Sequence, residues 1–595
     1  MNVAGIFPNE PTYRLQELLF PAEGRPEDLY LTAEPAVRQA GGQLYCAAGT
    51  RLDFGTWFNA LYLGFWLPHS RVEDLALRLS LRGHARIAVE LRRGDRPPRL
   101  LTLQEIAGEG ETFVMPLKET GEEGHLALVI DCLGPCQILH GAFVTGTEPD
   151  PVRLSVGICT FNREDKLAVT LAELAGIRRS LPELAEVFLV NQGAPFSDPR
   201  VRAEAERLGA RVIRQPNLGG AGGFARGLAE ALDSPAGLTH HLLMDDDIAL
   251  DARMLRRLTD AISFTGAARA LGGAMLEAER PRVLHEAGAQ LRPGWHVVSR
   301  GMGRNLVRRR VLALFDRVQP AHYNGWWFCA LPLAAVRRAG LPLPLFIRGD
   351  DIEYGCRLGT MGIESLPLPG CGVWHDAFAA KARPWLTYYD YRNLLINSAL
   401  LPDVARPPRP VEVLGALVSR LLCHQYGMAR AVEAAVRDYL DGPDALLGGN
   451  PLTHHAAITA RFSQEDGRPG PPAAPRPGPL PGLPPGLWRQ VPYFVARLLR
   501  LSLSPGRAVP APGSLSLYEI NPATAGPGPY LRRRDMEGGD CLCLTPDRRQ
   551  LWAGVARALW LWLLFLLRHR AAARQWRAGT ARHGARRAWN RRFAG

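Results

Sequence analysis

The cysteines of this chain form no zinc-binding spacing, and the pattern of its first residues does not predict a secretory signal. Neither Cys132 and Cys136 nor Cys541 and Cys543 has a second pair at the distance that a zinc site requires. We therefore expect all 10 cysteines to be free thiols in a reducing compartment. The first ten residues lack a basic stretch followed by an apolar core, which predicts a cytoplasmic protein without a secretory signal.

The C-terminus has no continuous apolar run of bilayer-spanning length and no acidic residues to balance its arginines. Its most apolar stretch, 558–567, is shorter than the roughly 20 residues that span a bilayer. The following segment, 568–592, contains many arginines and no acidic residue, and the whole chain has a net charge of +13. A short helix rich in Trp and Leu and followed by Arg predicts an interfacial helix at the anionic inner face of the plasma membrane. The alternative is a core helix with a solvated basic end.

The chain is too long for one ordinary domain, and its pattern changes several times along its 595 residues. Strict alternation of apolar and polar residues between 43 and 146 predicts half-buried antiparallel strands. Prolines are concentrated near residue 480, where they predict a flexible or polyproline spacer. The domain prediction is a β-sandwich at 1–150, an α/β domain at 151–400, a helical region at 401–465, a Pro-rich linker at 466–490 and a helical, basic, membrane-associating region at 491–595.

The α/β prediction depends on short apolar strands that alternate with helical stretches. The first strand lies at 154–159, and later ones lie at 187–191, 211–214 and 241–244. This alternation predicts a parallel, doubly wound sheet. Ligands of such sheets bind beyond the carboxyl ends of the strands, so chemistry-bearing residues are expected there.

Three consecutive carboxylates, Asp245, Asp246 and Asp247, follow the fourth of these strands. Adjacent carboxylates repel, so the cluster is unfavourable without a cation, and hard divalent ions prefer oxygen ligands. His375 follows another apolar stretch and would complete such a site, because a ring nitrogen beside two carboxylates suits Mn²⁺ better than Ca²⁺. The alternative is a solvated acidic turn that caps the next helix, with a structural histidine elsewhere.

A second acidic cluster, Asp350, Asp351 and Glu353, follows an apolar stretch at the start of a predicted helix. The helix dipole favours negative side chains there, so simple capping is one interpretation. The other is a general base, which requires a carboxylate beside the reacting hydroxyl. Between the two acidic clusters, Trp326 and Trp327 predict either buried core or a flat wall for a sugar ring.

A glycine-rich loop at 217–227 precedes a helix, and free backbone amides at a helix N-terminus bind phosphate well. Gly220, Gly222 and Ala225 match a loose dinucleotide spacing, with Asp245 about twenty residues later. This match defines an alternative function, a nicotinamide-dependent oxidoreductase. It leaves three consecutive aspartates unexplained, and the loop follows the third strand of the unit rather than the first.

Taken together, these motifs resemble the family-2 glycosyltransferases with the GT-A fold, and most closely the galactofuranosyltransferases that build bacterial galactan. The N-terminal β-rich part is similar as well, including Trp57–Asn59. The resemblance implies a Rossmann-like GT-A domain between an N-terminal β-sandwich and a C-terminal helical region. The matching segments are Thr160–Arg163, Asn217–Gly223, Asp245–Asp247, Asn324–Trp327, Asp350–Asp351 and Trp374–His375.

The resemblance implies a UDP-sugar donor, with galactofuranose as the closest sugar and another donor such as dTDP-rhamnose as the alternative. The residues implied in donor binding are Thr160, Phe161, Arg163, Asn217 and Asp246. Those implied in binding Mn²⁺ or Mg²⁺ are Asp245, Asp247 and His375. Asp351 is implied as the base of one inverting displacement, and those implied at the acceptor are Trp326, Trp327 and Asp350.

The acceptor implied is a lipid-linked or polysaccharide glycan of the cell envelope. The family pattern has a histidine within the segment equivalent to 388–393, where Asp390 and its neighbours stand in this chain. The C-terminus predicts an anionic membrane partner. Nucleic-acid binding by the same basic segment is the non-enzymatic alternative, but that segment lacks interleaved aromatic residues beyond Trp576 and Trp589. The oligomeric state is open, with the β-domain and the C-terminal helices as candidate contact surfaces.

Overall fold

The computed structural model describes residues 12–118, 123–294, 296–376, 383–503, 510–535 and 538–594. The segment on which the absence of a signal sequence was predicted, 1–10, lies outside these residues. The described chain has the predicted three-part architecture of a β-rich N-terminal part, an α/β domain and a mainly helical C-terminal region.

Among the described residues, the N-terminal part consists of one ten-stranded antiparallel sheet and one short α-helix. Its elements are β1 (Tyr13–Glu17), β2 (Thr32–Glu34), β3 (Arg38–Ala40), β4 (Gln43–Cys46), β5 (Arg51–Asp53), β6 (Leu61–Tyr62), α1 (Leu63–His69), β7 (Leu75–Arg92), β8 (Arg99–Leu117), β9 (His125–Cys132) and β10 (Cys136–Thr145).

The long strand β7 joins the two halves of this sheet. Its residues 76–82 pair with β10, whereas its residues 85–92 pair with β9. Gly83, between the two halves, has φ +101°, and a Cβ there would lie 2.2 Å from the carbonyl oxygen of Pro135. Glycine is required at such a bend because it tolerates positive φ and close backbone approach. The strands of the predicted β-sandwich are thus connected through β7 into one hydrogen-bonded sheet.

The α/β domain follows directly after β10. Its elements are β11 (Leu154–Thr160), α2 (Glu164–Arg178), β12 (Leu184–Asn191), α3 (Pro199–Leu208), β13 (Arg211–Arg214), α4 (Gly219–Asp233), β14 (His240–Asp245), α5 (Arg253–Thr265), β15 (Arg269–Glu277), β16 (Val283–Glu286), β17 (Ala289–Arg292), β18 (His296–Ser299), β19 (Arg304–Asn305), α6 (Arg309–Leu312), β20 (Phe328–Pro332), α7 (Leu333–Ala339), α8 (Asp350–Thr360) and β21 (Glu364–His375).

The main sheet of this domain has the order β13-β12-β11-β14-β20-β15-β16-β19, with β21 paired to β15. The first four strands are parallel, as predicted. The prediction of a wholly parallel sheet is wrong at β20, which is antiparallel to β14 and β15. Because β20 runs in the opposite direction, its first residues lie at the same edge of the sheet as the carboxyl ends of β11, β14 and β15. The edge of the sheet that carries the aspartate triplet therefore also receives the chain that enters β20.

A buried arginine fixes the N-terminal sheet to the α/β domain. Arg257 on α5 donates hydrogen bonds to the carbonyl oxygens of Glu17 at 2.7 Å and Gly370 at 2.6 Å. Burial lowers the pKa of Arg257 to about 10. Nearby, Arg14 forms an ion pair with Asp260 at 2.7 Å. The apolar side chains of both parts belong to one continuous core, so the two pack as one body.

The C-terminal region contains most of the remaining helices and a small sheet. Its elements are α9 (Pro384–Leu400), α10 (Pro410–Leu422), α11 (Tyr426–Asp441), α12 (Pro443–Leu447), α13 (Pro451–Arg461), β22 (Arg468–Gly470), α14 (Leu487–Leu503), β23 (Ser514–Leu515), a 3₁₀ turn (Leu517–Glu519), α15 (Pro522–Ala525), β24 (Tyr530–Arg533), β25 (Cys541–Leu544), α16 (Arg548–Gly584) and α17 (Arg586–Ala594).

Short strands lie at the start of the predicted Pro-rich linker and among the helices of the region after it. Arg468–Gly470 forms β22, which pairs with β25 in a four-stranded sheet of order β22-β25-β24-β23. Pro469 is tolerated because β22 is an edge strand, where one side of the backbone has no neighbouring strand to receive an N–H. The Pro-rich stretch is thus anchored at its beginning, and the region after it contains three strands as well as helices.

The basic C-terminal segment packs against the rest of the chain. Trp589 on α17 is fully buried, and its indole N–H donates to the carbonyl oxygen of Pro342 at 2.8 Å. Arg586 and Arg582 form ion pairs with Asp233 and Asp444. Among the described residues, α16 is the one helix whose length and apolar composition would suffice to cross a membrane.

Candidate active site

Asp245, Asp247 and His375 lie together at the carboxyl ends of β14 and β21. One ligand atom from each lies within 4.8 Å of the others. Nδ1 of His375 donates to the carbonyl oxygen of Asp376 at 2.7 Å, since a carbonyl can only accept. Nε2 then faces the Asp247 carboxylate oxygen at 2.9 Å. If the imidazole were neutral, the lone pair of Nε2 would face the negatively charged Asp247 carboxylate. The arrangement therefore requires a proton or a metal ion between Nε2 and the carboxylate.

The donor atoms of this cluster suit a divalent cation. Two carboxylates and one imidazole form a mixed oxygen and nitrogen set of the kind that binds Mn²⁺ and related ions. Arg163 also contacts the cluster, with its guanidinium 2.5 Å from the second Asp247 oxygen. The fixed Nδ1 hydrogen bond of His375 orients the ring, as is usual for a metal-binding histidine. The predicted convergence of three residues in one cation site agrees with the geometry.

The predicted donor-binding residues surround this cluster but differ in accessibility. Phe161 is 47% exposed beyond the end of β11, whereas Thr160 is buried. Asp246 is also buried, and desolvation raises its pKa to about 7. The side-chain oxygen of Asn217 accepts from the N–H of Gly219 at 2.9 Å and so shapes the loop that opens α4. Phe161 and Arg163 are the members of this set that present substantial surface to a ligand.

The glycines of the loop before α4 are explained by packing. A Cβ on Gly219, whose φ is +71°, would lie 2.0 Å from the carbonyl oxygen of Phe346. A Cβ on Gly223 would lie 2.0 Å from the sulfur of Cys159. Real Cβ atoms do not approach other atoms so closely, so any larger residue would displace the loop. The glycine spacing is therefore accounted for without a dinucleotide, and the oxidoreductase alternative gains no support from it.

Asp350 and Asp351 occupy the first turn of α8, on the same side of the domain as the cation cluster. Oδ1 of Asp351 accepts from the N–H of Ile352 at 2.8 Å. Burial, together with the charge of Asp245, raises the pKa of Asp351 to about 6, against the opposing effects of the Ile352 N–H and Arg348. Burial and the neighbouring Asp351 hold the pKa of Asp350 well above its usual range. Burial therefore favours the protonated form of both carboxyl groups, and it does so more strongly for Asp350 than for Asp351.

The loop before α8 has an unusual backbone. Phe346 has φ +74° and Arg348 has φ +66°, a region that non-glycine residues rarely adopt, and Gly349 follows with φ +72°. Such strain persists only where the surroundings hold it in place. The loop therefore needs an external support to keep Asp350 and Asp351 at the start of the helix.

Helix α9 supplies this support through side chains that the sequence analysis did not single out. The amide of Asn393 donates to the carbonyl oxygens of Ile347 at 2.8 Å and Arg348 at 2.6 Å. The amide of Asn397 donates to the carbonyl oxygen of Gly349 at 2.8 Å. No sequence signal indicated these residues, because the contacts join side chains to backbone groups more than forty positions away.

Trp326 and Trp327, expected at the acceptor, are 5% and 8% exposed. The indole of Trp326 packs edge-on against Phe224, with ring centroids 5.4 Å apart. The indole N–H of Trp327 donates to the carbonyl oxygen of Gly273 at 3.0 Å. Both side chains are therefore packed largely against the protein, and their role at the acceptor stays a prediction. Antiparallel β20 brings this segment to the active edge, but its two large rings point into packed surroundings.

Glu286 at the end of β16 is a further titratable group near Asp351. Burial raises its pKa to about 8, and the charge of Asp351 adds to this effect. One of its oxygens accepts from the Ser299 hydroxyl, and the other has no hydrogen-bond partner among the described residues. The only sequence signal is an acidic residue directly after the apolar pair Val283–Leu284 and His285.

Two parts of the chain match known protein families. Residues 150–388 match the family described as glycosyltransferase like family 2, and residues 15–145 match the galactofuranosyltransferase 2 N-terminal family. Galactofuranosyltransferase GlfT2 of Mycolicibacterium smegmatis is 30% identical over 466 residues, which cover 73% of this chain and 72% of that one. Its counterpart in Mycobacterium tuberculosis is 28% identical over 477 residues, 73% of each chain.

The solved structures that resemble this chain are more distant. The mannosyltransferase PcManGT of Pyrobaculum calidifontis, in complex with GDP-Man and Mn²⁺, is 16% identical. The match covers 60% of this chain and 89% of that one, with a TM-score of 0.31. A similarity at this level carries no argument about individual residues of this chain.

Proposed function

Because the chain belongs to the galactofuranosyltransferase family and is a glycosyltransferase, we propose that it transfers galactofuranose from UDP-galactofuranose in a metal-dependent, inverting reaction. The proposed acceptor is a lipid-linked or polysaccharide glycan of the cell envelope. Another nucleotide sugar, such as dTDP-rhamnose, is the alternative donor for the same fold and mechanism.

The observation that carries this proposal is the meeting of Asp245, Asp247 and His375 near Asp351. The three ligand atoms fit Mn²⁺ or Mg²⁺. Nε2 of His375 points toward the Asp247 carboxylate, so both groups could bind the same ion. A divalent ion held there would neutralise the charge that develops on the departing nucleoside diphosphate. Of the proposed donor-binding residues, Phe161 and Arg163 offer an exposed ring and a cation, and Thr160, Asp246 and Asn217 shape the site behind them.

Asp351 is proposed as the general base. A raised pKa strengthens a carboxylate as a proton acceptor while leaving it ionised above pH 6. It would take the proton of the acceptor hydroxyl as that oxygen attacks the anomeric carbon, with the nucleoside diphosphate leaving from the opposite side. Burial and the charge of Asp351 hold the pKa of Asp350 well above its usual range, and in its protonated form Asp350 would offer an O–H to the acceptor.

The test compares purified wild-type protein with Asp351→Asn in the presence of Mn²⁺. UDP-galactofuranose, UDP-galactopyranose and dTDP-rhamnose are each offered with a short galactan acceptor, and the product linkage is assigned by NMR. We expect transfer of galactofuranose with inversion by the wild type and by Glu206→Gln, an exposed control on α3. Transfer from dTDP-rhamnose but not from UDP-galactofuranose would show that dTDP-rhamnose is the donor. Retention of configuration would overturn the proposed single displacement.

We also propose that the protein binds the anionic inner face of the plasma membrane through α14 and α16. Each helix exposes a row of apolar side chains, and the indole N–H of Trp552 on α16 donates to the hydroxyl of Ser502 on α14 at 3.1 Å. The opposite face of α16 is buried in the helical core. The exposed side chains are Val491, Val495, Leu499 and Leu503 on α14, and Trp552, Leu559, Trp560, Leu563, Leu566 and Leu567 on α16.

Vesicle sedimentation tests this surface. We expect binding to phosphatidylglycerol-containing vesicles, and loss of binding in the double variant Leu566→Ser and Leu567→Ser, because both leucines are solvent-exposed. Val212→Ser removes an exposed apolar side chain on β13 and serves as the matched control. Equal binding by all three proteins would contradict the proposal.

A further inference from the structure

A cavity of about 150 Å³ lies where the loop before α8 meets the C-terminal region. This is far more than the roughly 10–15 Å³ that one water needs, so the cavity can hold a ligand group. It is lined by Arg348 from the loop, Arg383 directly before α9, Arg420 on α10 and Tyr518 of the 3₁₀ turn. We name this cavity the arginine pocket. None of its lining residues belongs to the cation cluster at the strand ends.

Positive charge exceeds negative charge around the arginine pocket. Asp390 is its one lining carboxylate among the described residues, and it lies 3.8 Å from the guanidinium of Arg348, too far for a hydrogen bond. Arg420 hydrogen-bonds the neutral side chain of Gln425 at 2.8 Å and has no ion pair with a described carboxylate. One carboxylate therefore faces three guanidinium groups.

The carboxylate that pairs with Arg383 does not remove this excess. Glu465 accepts from Arg383 at 2.9 Å, and it is shared with Arg532 at 2.9 Å and Arg534 at 3.1 Å. A single negative charge thus serves three arginines, although Arg534 also pairs with Asp540. The described lining itself carries three guanidinium groups and one carboxylate, and a cavity of this composition can accept an anion.

The arginine pocket adjoins the proposed base. Arg348 lies three positions before Asp351, in the strained loop that α9 holds. Its guanidinium is close enough to affect the charge of both Asp351 and Asp390. A group bound in the pocket would therefore belong to a molecule whose other end reaches Asp351, which describes the acceptor rather than the donor.

We propose that the arginine pocket binds a phosphate or diphosphate group of the acceptor and so positions the attacking hydroxyl at Asp351. Guanidinium groups match phosphate oxygens in geometry and bind them with paired hydrogen bonds. Tyr518, 57% exposed, adds a ring and a hydroxyl at the same cavity. The inference rests on the proposed function, because it requires that an acceptor is glycosylated at this site.

The first experiment compares two synthetic acceptors with the same sugars and alkyl chain, one with a diphosphate between them and one without. The wild type should show a KM at least roughly 10-fold lower for the diphosphate acceptor, the size of one charged hydrogen bond. Arg420→Gln should have equal KM values for the two acceptors, and Arg420→Lys should keep part of the difference between them. Arg430→Gln, an exposed arginine on α11, is the matched control and should keep the full ratio.

The second experiment measures binding without turnover. Inorganic pyrophosphate is titrated calorimetrically into the full chain with EDTA present, so that no metal can recruit it to the strand ends. Binding by the wild type and by Arg430→Gln, at least roughly 10-fold tighter than binding by Arg420→Gln, supports the pocket. Equal binding by Arg420→Gln overturns it, even if sugar transfer is normal.

The two experiments separate the possible failures. Equal KM values for both acceptors, with pyrophosphate binding that depends on Arg420, would assign the pocket to a free anion and overturn its role in acceptor binding. Absence of sugar transfer to either acceptor, with that binding intact, would overturn the proposed function and the acceptor assignment with it, but leave the anion site standing.

Discussion

The two acidic clusters of the α/β domain handle negative charge in opposite ways. Asp245 and Asp247 follow a strand and face cationic or metal-binding groups, His375 and Arg163. Asp350 and Asp351 begin a helix in a buried, strained segment where burial raises the pKa of both. The surroundings of the first cluster favour ionised carboxylates, and those of the second favour protonated ones, which agrees with the proposed roles of cation binding and proton transfer. The residue type alone does not distinguish them, since both are runs of aspartate.

The largest expected effect is that of Asp351→Asn. If the second cluster supplies the base, kcat should fall by about 10²–10⁴-fold, the usual contribution of general base catalysis. Affinity for Mn²⁺ should not change, because Asp351 is not among the three residues of the cation cluster. Steady-state kinetics and a calorimetric Mn²⁺ titration measure the two effects. A variant that loses Mn²⁺ affinity as well as kcat would show that the two clusters act as one site.

His375→Ala should have the converse effect. Removing one of the three ligand atoms should weaken Mn²⁺ binding by more than roughly 100-fold, beyond the loss caused by a change outside the ligand shell. Saturating Mn²⁺ should then restore much of the activity, which it cannot do for Asp351→Asn. Unchanged metal affinity in His375→Ala would show that the imidazole is not a ligand of the cation.

Asn393→Ala tests whether the strained loop depends on α9. The change leaves the carbonyl groups of Ile347 and Arg348 without their donor, at about 1–3 kcal/mol of stability. We expect kcat to fall while KM for the nucleotide sugar stays constant, because only the second cluster moves. Asn590→Ala, an exposed asparagine on α17, is the control for thermal unfolding and kinetics. A stability loss with normal kcat would reduce the role of Asn393 to packing.

The smallest effect concerns pH. A base must be ionised, and the pKa of Asp351 is raised to about 6, so kcat/KM should be constant above that pH and decline as pH falls through it. Arg348 stabilises the ionised form, so Arg348→Gln should raise the midpoint of the decline. The profile is best measured with a neutral acceptor, and a lowered midpoint in Arg348→Gln would contradict the assigned electrostatics.

The cation cluster was predictable because the order and direction of the strands determine which residues meet. Carboxyl ends of parallel strands meet at one edge, so an apolar strand followed by aspartates and another followed by His375 were expected to converge there. The direction of β20 was not predictable in this way. Its reversal brings Trp326 and Trp327 to the active edge and also buries them, which no local pattern distinguishes from an exposed wall.

The support of the second cluster could not be predicted from the sequence. Asn393 and Asn397 act on backbone carbonyls far along the chain, and such contacts leave no spacing or periodicity in the sequence. The strand β22 was missed because proline content argues against strands unless the strand lies at an edge, and edge position is a property of the folded sheet.

The described cysteines are all free, and eight of the ten are buried. The other two, Cys159 and Cys543, are partly buried, and burial raises the pKa of both thiols, so few of them are thiolates near neutral pH. Alkylating reagents act on thiolates and should therefore react slowly with the native protein. A single cysteine introduced at Tyr518 could then be labelled selectively with a fluorophore, without first removing the natural cysteines, to report occupancy of the neighbouring cavity.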